Sequence, residues 1–279
     1  MPESKFVTAN GLRLHYLDFG NASAPPVICI HGLTANAHSF DEVAPQMAGR
    51  YHVISVDVRG RGESQWGPPN EYSLPAYVND LNATLEALKI PRASLIGTSM
   101  GGMISMTFAV LFPAKVERIV LNDIGPEIDP AGLKRIMDYV IEPPQEFKNM
   151  GEVVAYYRAI YPPIAHDPDE VVIEWVKWSV KPTDHGTLTW KMDPGVRQAL
   201  REAQNTPPPQ LDVWKPYASI KAPILVVRGG ESDILSVATA RKMCELSPNT
   251  KMVEVPGVGH APFLTEPIAA KAMAEFFGV

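Results

Sequence analysis

Few folds can accommodate the stretch Ser94-Leu95-Ile96-Gly97-Thr98-Ser99-Met100-Gly101-Gly102. A short apolar run ends in Gly97-x-Ser99-x-Gly101, and a helix-like segment, Met103 to Phe112, follows at once. Strand, sharp turn and helix in that order hold one serine proud of a sheet, in the manner of a nucleophile elbow. Glycines flank Ser99 because a side chain there would collide with the neighbouring strand or helix in so tight a turn. A glycine loop with a bystander serine would also match the bare pattern; the strand before it and the helix after it favour the elbow.

The segments on either side supply the sheet that such an elbow needs. Lys5 to Thr8 and Leu12 to Asp18 read as strands joined by a turn at Asn10-Gly11. Val27 to Ile30 is a continuous apolar run, the mark of a strand buried on both faces. A helix is expected from about Phe40 to Ala48, then a strand from His52 to Val56 and a turn-rich loop, Asp57 to Ser64. Val78, Leu81, Leu85 and Leu88 recur at helical spacing, and Val116 to Leu121 reads as another strand. Strands alternating with helices predict an α/β fold, a mostly parallel central sheet covered by helices on both faces.

That alternation breaks at Asn122-Asp123 and resumes with the strand Ile224 to Val227. In between lie 13 of the 27 prolines and four of the five tryptophans, so residues 125–222 are expected to form an inserted helical cap. Residues 1–124 and 223–279 would form the core. Asp129-Pro130, Asp167-Pro168 and Asp193-Pro194 look like helix starts, an N-cap followed by proline in the first turn. Asp167 and Glu170 have capping-box spacing. Leu133, Ile136, Met137, Val140 and Ile141 share a helical face, and Pro207-Pro208-Pro209 reads as a stiff connector.

A serine hydroxyl attacks only if a base takes its proton and a third group orients the base. Ser99, Asp233 and His260 fit those parts, each after an expected parallel strand, where open α/β sheets place their ligands. Asp123 also follows a strand end and is the alternative acid. Backbone N–H groups of Leu33 and Met100 are the expected oxyanion donors, with His31 supporting the first of them. Tyr156, Tyr157, Trp175 and Trp190 could line a substrate pocket, although aromatics at such spacing also serve as packing in a small helical core. The residues His31-Gly32, Asp57…Arg59-Gly60…Gly62…Ser64, Gly97-Thr98-Ser99-Met100-Gly101-Gly102, Gly230…Asp233 and Gly259-His260 resemble the α/β-hydrolase-fold superfamily. The resemblance runs from the first strands to the final helix, the cap excepted. It implies a serine hydrolase of the carboxylesterase kind, cleaving an ester or similar acyl bond through an acyl-enzyme, with no cofactor and no metal. Carbon–carbon bond hydrolases, lactonases and cofactor-free perhydrolases share the triad and remain alternatives. A non-catalytic receptor on this fold is a third, against which an intact triad argues.

The formal charge of −6 speaks against a nucleic-acid surface. No segment is apolar for long enough to span a membrane, and Met1 to Asn10 lacks the pattern of a signal peptide. Cys29 and Cys244 fall in an expected strand and helix as small hydrophobes, without metal-ligand spacing. A cytoplasmic protein acting on a small molecule is the expectation.

Overall fold

The turn signal at Asn10-Gly11 joins β1 (Glu3–Ala9) to β2 (Leu12–Asp18), with φ of +50° and +76° at the two turn residues. A two-residue turn with both φ positive matches the twist of the flanking strands, so Ala9 pairs directly with Leu12. This computed structural model describes residues 1–161, 164, 166–205 and 212–279; Pro207-Pro208-Pro209 lies outside them. The other core strands are β3 (Pro26–Ile30), β4 (His52–Val56), β5 (Ala93–Thr98), β6 (Val116–Asn122), β10 (Ile224–Gly229) and β11 (Thr250–Val255). They form an eight-stranded sheet in the order β1-β2-β4-β3-β5-β6-β10-β11. Pairing is antiparallel at β1–β2 and β2–β4 and parallel elsewhere.

Side chains that alternate along the strands enter two separate cores. Ile28, Ile30, Leu95, Ile119, Leu121, Ile224 and Val226 pack with α2 (Leu74–Ala87), α3 (Met100–Leu111) and α9 (Val237–Leu246). Val27, Cys29, Ile96, Val120, Leu225 and Val227 pack with α1 (Ala44–Met47) and α10 (Pro267–Phe277) on the opposite face. Near-continuous apolar strands follow from this double covering. The helix expected over Phe40 to Ala48 is instead a 3₁₀ turn, Ala37–Phe40, followed by the four-residue α1. Pro45 explains the break: it has no N–H to donate, and it sits in the first turn of α1, where none is needed.

β6 and β10 are hydrogen-bonded neighbours, so the chain between them leaves the sheet edge and returns to it. That excursion contains α4 (Pro130–Ile141), β7 (Glu146–Phe147), α5 (Met150–Ile160), α6 (Asp169–Val176), β8 (Val180–Pro182), β9 (Leu188–Trp190), α7 (Pro194–Gln204) and α8 (Trp214–Ala218). It is not purely helical. β7, β9 and β8 form a three-stranded antiparallel sheet, too short per strand to show a sequence period. Asp129 and Asp193 accept the Ala131 and Gly195 N–H groups, as N-caps should. Asp167 does not cap α6, which begins one residue later behind Pro168. In α4 the inward face carries Gly132, Ile136 and Val140, whereas Leu133 is exposed. No helix among the described residues is long and apolar enough to cross a membrane.

Candidate active site

Ser99 stands between β5 and α3 at φ +51° and ψ −114°, a conformation an L residue keeps only when its surroundings enforce it. Its N–H donates to Asn122 O at 3.0 Å, and its carbonyl accepts from Gly102 at 2.9 Å and Met103 at 3.1 Å. A Cβ on Gly97 would run into the Gly101-Gly102 backbone, and one on Gly101 into the Ile30 carbonyl. The glycines are there for close approach, as the sequence pattern implies.

His260 lies in the loop between β11 and α10, with Nε2 2.9 Å from Ser99 Oγ. Its Nδ1 is 2.7 Å from Oδ2 of Asp123. Nδ1–H donates to the carboxylate, and Nε2 is left to accept from the serine hydroxyl. Asp123 follows β6 directly, is fully buried and has φ +55°. Its own N–H is fixed to Val227 O at 2.8 Å, and its second oxygen, Oδ1, accepts from Gly229 N–H at 2.8 Å. Every polar atom that could let the carboxylate swing away is thus occupied.

The expectation that Asp233 orients His260 is corrected by this arrangement. Asp233 sits in the loop after β10, and its two oxygens accept from Arg135 of α4, Oδ2 from Nε at 2.5 Å and Oδ1 from Nη2 at 2.8 Å. The Arg135 guanidinium holds the Asp233 carboxyl below its ordinary value. A bidentate fork engages both carboxylate oxygens, while Asp123, the alternative acid, occupies the imidazole.

Met100 follows Ser99 directly, and Leu33 lines the same cavity as the serine. Among the described residues, neither backbone N–H donates to another protein group; that of Met100 is the first in its helix and has no partner within it. His31 is fully buried. Val58 N–H donates to its Nε2 at 3.0 Å, so Nδ1–H donates to Gly32 O at 2.7 Å. That carbonyl and the Leu33 N–H belong to one planar peptide, so His31 fixes the direction of the N–H. Burial pushes the imidazole down to about 4, which keeps it neutral.

The sequence marked Asp57 to Ser64, after β4, only as a turn-rich loop and gave Arg61 no role. This buried side chain donates from Nε to Leu33 O at 3.2 Å and from Nη1 to Arg59 O and Tyr77 Oη, both at 3.0 Å. Its Nη2 is 3.6 Å from Met100 Sδ, so one guanidinium touches both Leu33 and Met100. The only signal available was a second arginine in Arg59-Gly60-Arg61-Gly62. Arg59 packs away from the site, forked onto Asp80.

Above Ser99 and His260 is a cavity of about 130 Å³. The excursion supplies its ceiling through Ile136, Tyr139, Tyr157, Ile160, Tyr161 and Trp175, and among the described residues no Asp, Glu, Lys or Arg side chain lines it. Tyr161 Oη donates to the Ala261 carbonyl at 2.6 Å, next to His260, and its ring stacks on Trp175 at 5.1 Å. Of the four aromatics singled out from sequence, Tyr157 and Trp175 reach this cavity. Tyr156 and Trp190 do not: they line an adjoining space, with Tyr156 Oη bonded to Tyr139 O and Trp190 Nε1 to Pro144 O.

A sequence model of the alpha/beta hydrolase fold matches residues 25–162. The chain is 34% identical to the 3-hydroxybutyrate-oligomer hydrolase of Cupriavidus necator, over 95% of this chain and 92% of that protein. It is 29% identical to the 2-(acetamidomethylene)succinate hydrolase of Mesorhizobium japonicum, over 91% and 88% of the two chains. The crystal structure of an alpha/beta hydrolase from Novosphingobium aromaticivorans superposes with a TM-score of 0.89 at 34% identity, over 99% of this chain and 98% of that one. Elbow, sheet order and full-length similarity agree: the chain belongs to the α/β-hydrolase-fold family and is a hydrolase.

Proposed function

We propose that this hydrolase cleaves the carboxylic ester of a small substrate through an acyl-enzyme. The observation that carries the reading is the chain of contacts from Ser99 Oγ to His260 at 2.9 Å and from His260 to Asp123 at 2.7 Å. Ser99 attacks the carbonyl carbon while His260 Nε2 takes its proton; the same imidazole then returns a proton to the departing alcohol oxygen. Asp123 keeps Nδ1 protonated and steadies the imidazolium that forms. The N–H groups of Leu33 and Met100 receive the oxyanion, each such donor contributing about 2.7–4 kcal/mol in comparable sites. Water activated by His260 then releases the acid and frees Ser99. Residues 125–222 act as the lid that selects the substrate, since its aromatic ceiling excludes water from the reacting carbonyl. The named relative that acts on 3-hydroxybutyrate oligomers makes short hydroxyacid oligoesters the first substrates to try.

The test is labelling by a serine-directed fluorophosphonate beside a panel of aryl esters, 3-hydroxybutyrate oligoesters and lactones. One label per chain is expected, lost in Ser99→Ala together with a kcat decrease on the order of 10⁶. A correctly folded Ser99→Ala protein with undiminished turnover would remove the mechanism. Efficient cleavage of a vinylogous diketone, with every ester in the panel inert, would move the assignment to carbon–carbon bond hydrolysis.

A further inference from the structure

One buried guanidinium in the excursion has no counter-charge among the described residues. Arg197 lies on α7, four residues beyond the Asp193 cap, and is 4% exposed. Its Nε is buried without a hydrogen-bond partner, and among the described residues no hydrogen bond or ion pair reaches the side chain. Residues 162, 163, 165 and 206–211 contain no acidic side chain that could supply one. What does touch it is aromatic: the guanidinium carbon lies 5.5 Å from the centre of the Trp190 ring. Burial works against its positive charge.

An arginine is protonated at any pH a protein tolerates, and burying an ion without a partner is strongly unfavourable. Such a cost persists in a folded chain when something outside it completes the pair. The space beside Arg197 is about 20 Å³, room for one small polar group. Its walls include Thr34, Tyr139, Tyr157 and Ile160, and these same four residues line the cavity over Ser99. The arginine therefore sits behind the reaction chamber, across a shared wall of two tyrosines, a threonine and an isoleucine.

We propose that Arg197 receives a carboxylate carried by the substrate, so that the enzyme takes monoanionic esters with an apolar body and an acid group remote from the scissile bond. This rests on the esterase reading above and goes beyond it. The chamber around Ser99 offers no charge for such a group, while the guanidinium behind Tyr139 and Tyr157 offers a planar fork matched to two oxygens. Binding supplies the missing anion, so the pair forms where water is scarce and the attraction is strong.

Two probe pairs test it, differing only in the charge of one end. 4-Nitrophenyl hydrogen adipate against its methyl ester places the carboxylate on the acyl side. The linear dimer of 3-hydroxybutyrate against its methyl ester places it on the alcohol side. In at least one pair the wild-type enzyme is expected to favour the acid in kcat/KM. Arg197→Met should lower that value on the order of 10²-fold, mainly through KM, with a much smaller change for the methyl ester. Arg197→Lys should recover part of the preference. Wild-type enzyme that handles acid and methyl ester alike in both pairs, or Arg197→Met lowering both members equally, overturns the proposal. Should Arg197→Met not fold, calorimetric titration of the Ser99→Ala protein with the dimer and with its methyl ester decides: tighter binding of the acid supports the site, and equal or weaker binding removes it. That titration needs no turnover. Failure of fluorophosphonate labelling would therefore sink the esterase reading separately.

Discussion

Two aspartates leave neighbouring strands on the same edge of the sheet, and the chain uses them for opposite purposes. Asp123 follows β6 fully buried, with partners drawn from β10 and from His260 and, among the described residues, none from the excursion. Asp233, in the loop after β10, is over a third exposed at its side chain and is held by Arg135 of α4. The same loop accepts the Asp129 N–H on Ile234 O at 3.0 Å, and its backbone lies against Gly132 so closely that no Cβ would fit. One strand end is a rigid mount for an imidazole, the other a dock for the inserted segment. Position at a strand end thus brings a carboxylate near His260; its other partners decide whether it makes the contact.

The largest effect separates the two directly. Asp123→Asn should lower kcat by roughly 10⁴, about 5.4 kcal/mol of barrier, because the amide no longer fixes the imidazole tautomer. Asparagine tolerates the positive φ at this position, so the fold should survive. Asp233→Asn should leave kcat within a few-fold of wild type. Steady-state kinetics of the two variants on one aryl ester, with circular dichroism to verify folding, would reverse the assignment if the losses were exchanged.

That reversal is what sequence alone favoured, and the reason is instructive. Ser99 was legible because the elbow is local: glycines, strand and helix all lie within twenty residues. His260 was legible because it follows the last strand. Which carboxylate meets His260 was not, since Asp123 and Asp233 both satisfy the strand-end rule. What distinguishes them is a pair between residues 135 and 233, and no periodicity carries a contact across 98 positions. Arg197 is hidden for the same reason, its significance being the lack of a partner. Arg61 stood in plain sight within the loop motif, but only the folded chain shows it touching both Leu33 and Met100. The small sheet β7-β9-β8 was missed because two- and three-residue strands have no period to read.

Acid should expose the contrast as a difference in stability. His31, at the end of β3, titrates at about 4 when folded and near 6.5 when unfolded, because burial disfavours its charged form. Below pH 6.5 the unfolded chain binds the proton that the folded chain refuses, so stability falls as pH drops from 6.5 to 4. The full loss is about 3 kcal/mol for the roughly 2.5-unit difference. Urea unfolding at stepped pH should show this slope in wild type and a shallower one in His31→Asn. Equal slopes would mean that the imidazole is not held neutral.

A smaller change tests the dock. In Gly132→Ala the new methyl meets the Asp233 carbonyl and Ile234 Cδ1. Overpacking of about 1–3 kcal/mol opposes a helix-propensity gain of up to about 1 kcal/mol. Net destabilisation is expected, read as a lower urea midpoint. A more stable variant would mean that α4 does not press on the β10 loop.

The smallest effect is that of the ion pair itself. Arg135 and Asp233 are 37% and 38% exposed at their side chains, so water screens them and a double-mutant cycle with Arg135→Met and Asp233→Asn should return only about 0.2–1 kcal/mol. Its pH window differs from that of His31. The arginine holds the Asp233 carboxyl below 3.8, so the contribution is complete above that value and vanishes only as pH falls through the lower folded value. Added salt should weaken the coupling, because a pair more than a third exposed is open to screening. Coupling of several kcal/mol, unaffected by salt, would place Asp233 in an environment as closed as that of Asp123. The two strand ends would then no longer be opposites. Coupling near zero would instead leave the close contact at Gly132 as what seats the excursion, with Arg135 serving to keep the second carboxylate away from His260.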